Sequence, residues 1–114
     1  MPHHFVLDVR DPLGRRITLT PETWDHHVQR RPELRGSVDF VKTAVMEPDF
    51  TIRTPDGANR YYRRGVNTAH PWVLMYFHLL VRFEDASEGR IASAWYSNRP
   101  EPGEILWVSP GLMR

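Results

Sequence analysis

His26 and Arg30 stand four residues apart inside Thr20–Glu33, TPETWDHHVQRRPE, the segment of this 114-residue chain richest in chemically capable side chains. Four residues is just over one helical turn, so the two side chains share a face if the segment is helical. Histidine moves protons near neutral pH, and arginine neutralises negative charge as it develops on a phosphate. The pair therefore suits phosphate chemistry; the bland alternative is a solvated helix face with an incidental histidine. A second group is Tyr61-Tyr62-Arg63-Arg64, where rings that stack on bases adjoin arginines that meet phosphates. Its bland alternative is one core tyrosine with exposed arginines. Ser93, in Ala92-Ser93-Ala94-Trp95-Tyr96, offers a hydroxyl to a phosphate oxygen or is simply a satisfied sheet serine.

These residues need elements to position them. Thr20 can cap a helix whose first residue is Pro21, and Arg31-Pro32 ends it, because proline disfavours helical geometry in the residue before it. The expected helix spans Pro21 to about Arg31, with Trp24, His27, Val28 and Arg31 on one side and Glu22, His26 and Arg30 on the other. Ser37 can cap a second helix in which Val38, Val41 and Val45 recur at helical spacing before Pro48. Alternation marks strands at Phe5–Val9 and Arg16–Leu19 around the turn Asp11-Pro12-Leu13-Gly14, an N-terminal hairpin. Further strands are expected at Phe50–Arg53, Arg60–Arg64, Trp72–Phe83 and Ile91–Tyr96, with Gly103–Trp107 a last short strand or docked tail. In Trp72–Phe83 one face is uniformly apolar and the other, which includes Tyr76, His78, Leu80 and Arg82, is mixed. Helices first and strands later predict an α+β domain over residues 1–114, with two helices packed on one face of an antiparallel sheet.

Composition narrows the classes. The net charge is only +1, and cysteine is absent, which removes disulfides, thiolate metal sites and a cysteine nucleophile. All fifteen basic residues but Lys42 are arginine, the better residue for gripping phosphate in pairs, although a codon bias toward arginine explains the same count. The start of the chain lacks the basic-then-apolar signature of a signal peptide, and Trp72–Val81 is too short to span a bilayer as a helix, so a cytoplasmic protein without membrane association is expected. No HExxH occurs, and His26 and His27 point about 100° apart on a helix, so neither metal nor cofactor is expected. P-loop, GxSxG and GxGxxG motifs are also missing.

The order of ITLTPETWDHHVQRRPEL, EPDFTIRTPDGANRYYRR, a long apolar strand and IASAWYSNRPEPGEILW resembles the phage-associated branch of the barnase–EndoU–colicin–RelE nuclease superfamily over roughly residues 17–107. In that branch a Trp-x-His helix and an Arg-His-Pro-Glu-like turn precede a Tyr-Tyr-Arg-like and a Thr-Ala-Tyr-like strand. Here Arg31 replaces the turn histidine, Ser93 stands for threonine and Trp95 for tyrosine, with Tyr96 beside it. The resemblance implies a metal-independent endoribonuclease or toxin-like domain, in which the RNA 2′-hydroxyl attacks its own phosphate. His26, Arg30, Arg63 and Ser93 would then be catalytic, and Arg31, Tyr61, Tyr62, Trp95 and Tyr96 would hold RNA. RNA and an antitoxin or immunity protein are the implied partners. The alternative is a non-catalytic protein- or nucleic-acid-binding module of the same fold.

Overall fold

The computed structural model describes residues 4–28, 38–64 and 74–113. Seven strands dominate it: β1 (Leu7–Arg10), β2 (Arg16–Leu19), β3 (Phe50–Arg53), β4 (Asn59–Arg64), β5 (Tyr76–Phe83), β6 (Glu88–Ser97) and β7 (Glu104–Val108). They form one sheet in the order β1-β2-β6-β5-β4-β3-β7. Every neighbouring pair is antiparallel except β2 with β6, which is parallel. The expectation of two helices on an antiparallel sheet is therefore corrected: the described residues form a seven-stranded mixed sheet with two short α-helices.

The parallel pair follows from chain length and reversal count. After β2 the chain passes through the helical region to β3, four places away in the sheet. Three antiparallel steps, β3 to β4 to β5 to β6, then return it beside β2, running in the same direction. A tight hairpin cannot join parallel strands, and this long crossover makes the pairing possible.

Thr20 caps α1 (Pro21–Thr23) as its sequence position suggests: its hydroxyl accepts the Thr23 N–H at 3.2 Å, and Pro21 begins the helix. Past Thr23 the chain departs from the regular helix predicted to run to Arg31. It widens into a π-helical stretch, Trp24–Val28, and Arg30 and Arg31 lie outside the described residues. A wider turn changes which residues share a face, so the regular helical wheel does not apply to residues 24–28. The second helix, α2 (Val38–Met46), buries Val41, Ala44 and Val45 at the expected spacing.

Both helical segments pack on one side of the sheet, its first face. The core there joins Val41, Ala44 and Val45 to Leu7, Ile17, Leu19, Tyr61, Phe77, Leu79, Val81, Ile91, Ala94 and Tyr96, with Trp24 and Phe40 against it. A polar network enters this core. Asp11, at the β1–β2 turn, accepts hydrogen bonds from the N–H groups of Leu13 and Arg15, from Arg15 Nε at 2.9 Å and from the Tyr61 hydroxyl at 2.5 Å. Arg15 also reaches Asn59 and Tyr61 and lies 4.2 Å from the centre of the Phe83 ring. The turn closes through Gly14 at φ +82°, a conformation in which a Cβ would be strained. A hairpin at one end of the sheet is thereby tied to β4 in its middle. Burial and the Asp11 carboxylate push the Tyr61 hydroxyl well above the usual tyrosine range.

No helix among the described residues is long and apolar enough to cross a membrane.

Candidate functional site

The second face is built by the alternate residues of the same strands. Register aligns them in rows. Trp95, His78, Tyr62 and Phe50 form one row across β6, β5, β4 and β3; Ser93, Leu80, Arg60 and Ile52 form the next; Arg90 and Arg82 stand opposite each other beyond that. On the other side of the aromatic row, Ser97 pairs with Tyr76 and Tyr76 with Arg64. Alternation between faces places all of these side chains together. A bulge at Ala92–Ser93, where the β5–β6 register shifts, keeps Ser93 and Trp95 on the second face while Ile91 remains in the core.

The aromatic row is packed ring against ring, with Phe50 and Tyr62 stacked and the His78 ring tilted by 47° to Tyr62 and 35° to Trp95. Ring centres lie 4.0 Å apart for His78 and Trp95, 4.4 Å for Tyr62 and His78, and 5.1 Å for Phe50 and Tyr62. β6 and β7 run in the same direction at different places in the sheet, so the connection between them, residues 98–103, must cross this face. It does so over Tyr62, whose hydroxyl accepts the Glu101 N–H at 2.9 Å. Where it lands on β3, a Cβ on Gly103 would sit 2.5 Å from the Arg53 carbonyl oxygen, too close for any side chain. His78 and Tyr62 are consequently buried, whereas Trp95, Ser93 and Leu80 are half-buried and Arg82 and Arg90 exposed. The open part of the face thus runs from Trp95 toward the two arginines.

Arg60 fixes the protonation of His78. Its Nη1 lies 3.0 Å from His78 Nε2, and a guanidinium only donates, so Nε2 accepts and Nδ1 carries the proton. Ser97 Oγ is 3.5 Å from that Nδ1. Burial, then the Arg60 charge, lower the His78 pKa from 6.5 to about 3, so the ring is neutral at physiological pH. Arg60 is held in turn by Thr54 Oγ1 at 3.2 Å and by Asp56 at 3.6 Å. The Thr54 hydroxyl bond is the main reason that Asp56 titrates below the usual carboxylate range. A neutral, fully engaged His78 is a support beside Trp95 and has no free nitrogen for proton transfer.

The residues singled out from the sequence divide between the two faces. Ser93, Trp95 and Tyr62 are on the second face, although Tyr62 is buried and offers no stacking surface. Tyr61 and Tyr96 point into the core of the first face. Arg63 also lies on the first face, where its guanidinium donates to the Glu47 carbonyl just past the end of α2 and satisfies one of the helix's terminal acceptors. His26 is exposed on the π-helical stretch of that same side. Arg30 and Arg31 lie outside the described residues. His26 and Arg63 are thus separated from Ser93 by the thickness of the sheet. Among the described residues no three His, Asp or Glu side chains are placed to hold a metal ion.

Arg60, His78, Arg82 and Arg90 are the members of the second-face group that motif spacing did not identify. The mixed face of Trp72–Phe83 was the available signal, since it already carried His78 and Arg82. Their partners come from strands eighteen residues upstream and eight downstream, which only the register supplies. No family model matches the chain, and no curated protein or solved structure matches it either.

Proposed function

We propose that this protein is a non-catalytic module that binds single-stranded nucleic acid across the open part of its second sheet face. The observation that carries the reading is Trp95, half-buried and packed at a tilt against a buried histidine, on the same face as Ser93, Arg60, Arg82 and Arg90. A tryptophan braced on one side by its cross-strand neighbour offers its other side to a base with little further loss of conformational freedom on binding. Arginines beside it meet the backbone phosphates. Binding is favoured over cleavage because His26 and Arg63 are on the other side of the sheet from Ser93, so these three do not surround one phosphate.

The test is fluorescence anisotropy with a short labelled single-stranded oligonucleotide and its duplex, followed by a denaturing gel with EDTA present. Base stacking contributes about 1–3 kcal/mol, so Trp95→Ala should weaken single-strand binding roughly 5- to 140-fold while Trp95→Phe recovers most of it. The oligonucleotide should stay intact. Cleavage that disappears in His26→Ala would instead restore the ribonuclease reading. Unchanged affinity in Trp95→Ala, or no binding to either nucleic acid, would remove the proposed function and leave a protein partner as the alternative.

A further inference from the structure

The two outermost arginines of the open face stand directly opposite each other. Arg82 on β5 and Arg90 on β6 are partners in register, and both are exposed. Like charges at directly opposed positions repel and destabilise a strand pair. The neighbourhood only partly offsets this. Arg90 reaches Glu84 at 3.2 Å, but both side chains are more than 60% exposed. On the other flank Asp56, half-exposed, lies within electrostatic reach of Arg82 and is shared with Arg60. Such exposed pairs hold their partners weakly and yield to a better ligand. Arg90 also lines a cleft of about 140 Å³ with Phe5, Arg16, Thr18, Glu84 and Glu88, which leaves room beside it.

We propose that Arg82 and Arg90 form a two-arginine seat for one phosphate group of the bound strand. This rests on the nucleic-acid reading above and names which part of the ligand this end of the face takes. A phosphate between two guanidinium groups turns their mutual repulsion into two charge-assisted contacts, and each fork can engage two oxygens. The seat is four residues along β5 from His78, the cross-strand neighbour of Trp95, which is about 13 Å at strand rise. One sugar-phosphate unit and the length of an arginine side chain together bridge that gap. A base stacked on Trp95 therefore places a neighbouring phosphate at the seat, with Ser93 and Arg60 along the path between them.

Two measurements test the seat on the full chain, each with the wild type, Arg82→Gln and Arg90→Gln. The first compares thermal unfolding in inorganic phosphate and in chloride at equal ionic strength. Phosphate should raise the wild-type Tm and have little effect on either variant. In chloride, Arg82→Gln should unfold at the same temperature as wild type or higher, because a repulsion is gone; a merely structural arginine would give a lower Tm. The second is the salt dependence of single-strand affinity, where each variant should reduce the slope of log K against log salt by about 0.7, the value for one lost phosphate contact. Equal Tm in both anions together with unchanged salt slopes would overturn the seat, while Trp95-dependent binding would still stand. Stabilisation by phosphate that needs both arginines, with no strand binding, would keep the seat as an anion site and remove the function proposed above.

Discussion

Replacing Asp11 by alanine should cost roughly 3–5 kcal/mol of stability, the largest single-residue effect expected in this fold. The Asp11 side chain is fully buried and Arg15, its ion-pair partner, is 16% exposed. Without the carboxylate, a nearly buried guanidinium is left without its counter-charge, while the N–H groups of Leu13 and Arg15 and the Tyr61 hydroxyl lose an acceptor. That is several times the effect of one neutral hydrogen bond, which contributes about 1 kcal/mol. For a domain of this size the loss corresponds to a drop in Tm of roughly 10–20 °C. Tyr61→Phe removes the hydroxyl's two contacts, one donated to Asp11 and one accepted from Arg15, while leaving the ion pair in place, and should cost only about 1–2 kcal/mol. Urea unfolding of both variants decides the matter. Equal small losses would mean that the network around the hairpin turn is incidental to holding β1 and β2 on the sheet.

Acid should destabilise the protein well above the range in which carboxylates titrate, and His78 is the reason. Its folded pKa is lowered from 6.5 to about 3. A histidine that stays neutral when folded but takes up a proton when unfolded contributes its full stability above pH 6.5, and loses it as the pH falls toward 3. The slope is about 1.4 kcal/mol per pH unit, so stability should fall by roughly 2 kcal/mol between neutrality and about pH 5. The groups facing the ring are Arg60, Tyr62, Trp95 and Ser97, of which only Arg60 is charged, and it opposes protonation. Asp8, Asp56 and Asp85 are lowered carboxylates whose losses begin further down the pH scale. His78→Gln can accept from Arg60 and donate to Ser97, so it should flatten the slope between pH 6.5 and about 5. A His78→Gln protein with the same acid slope as wild type would show that another group is responsible.

Much of the local structure was legible in the residues. Thr20 and Pro21 start a helix, Val41 and Val45 face a core, and the alternation after Tyr76 is a strand. Each is a property of neighbours a few positions apart, where cap chemistry and hydrophobic period act directly. The helix past Thr23 was not legible, because the sequence near Trp24 favours helix without saying which hydrogen-bond period it will adopt. Nor was the mixed sheet. The parallel pairing of β2 with β6 depends on how many reversals separate them, a count that no single segment carries.

The candidate site shows the same division more sharply. Ser93 and Trp95, both candidates on sequence grounds, share a face because residues two apart in a strand must. Arg63 and His26, candidates on the same grounds, lie on the other side of the sheet. Arg60, His78, Arg82 and Arg90 became part of one surface through cross-strand register, and the 98–103 connection decided which of those rings stay open. By itself, then, the sequence determined which residues alternate, which cap and which carry charge, since these follow from local geometry and side-chain chemistry. Only the tertiary structure decided which faces coincide, because strand register and crossover path bring together groups that are far apart along the chain.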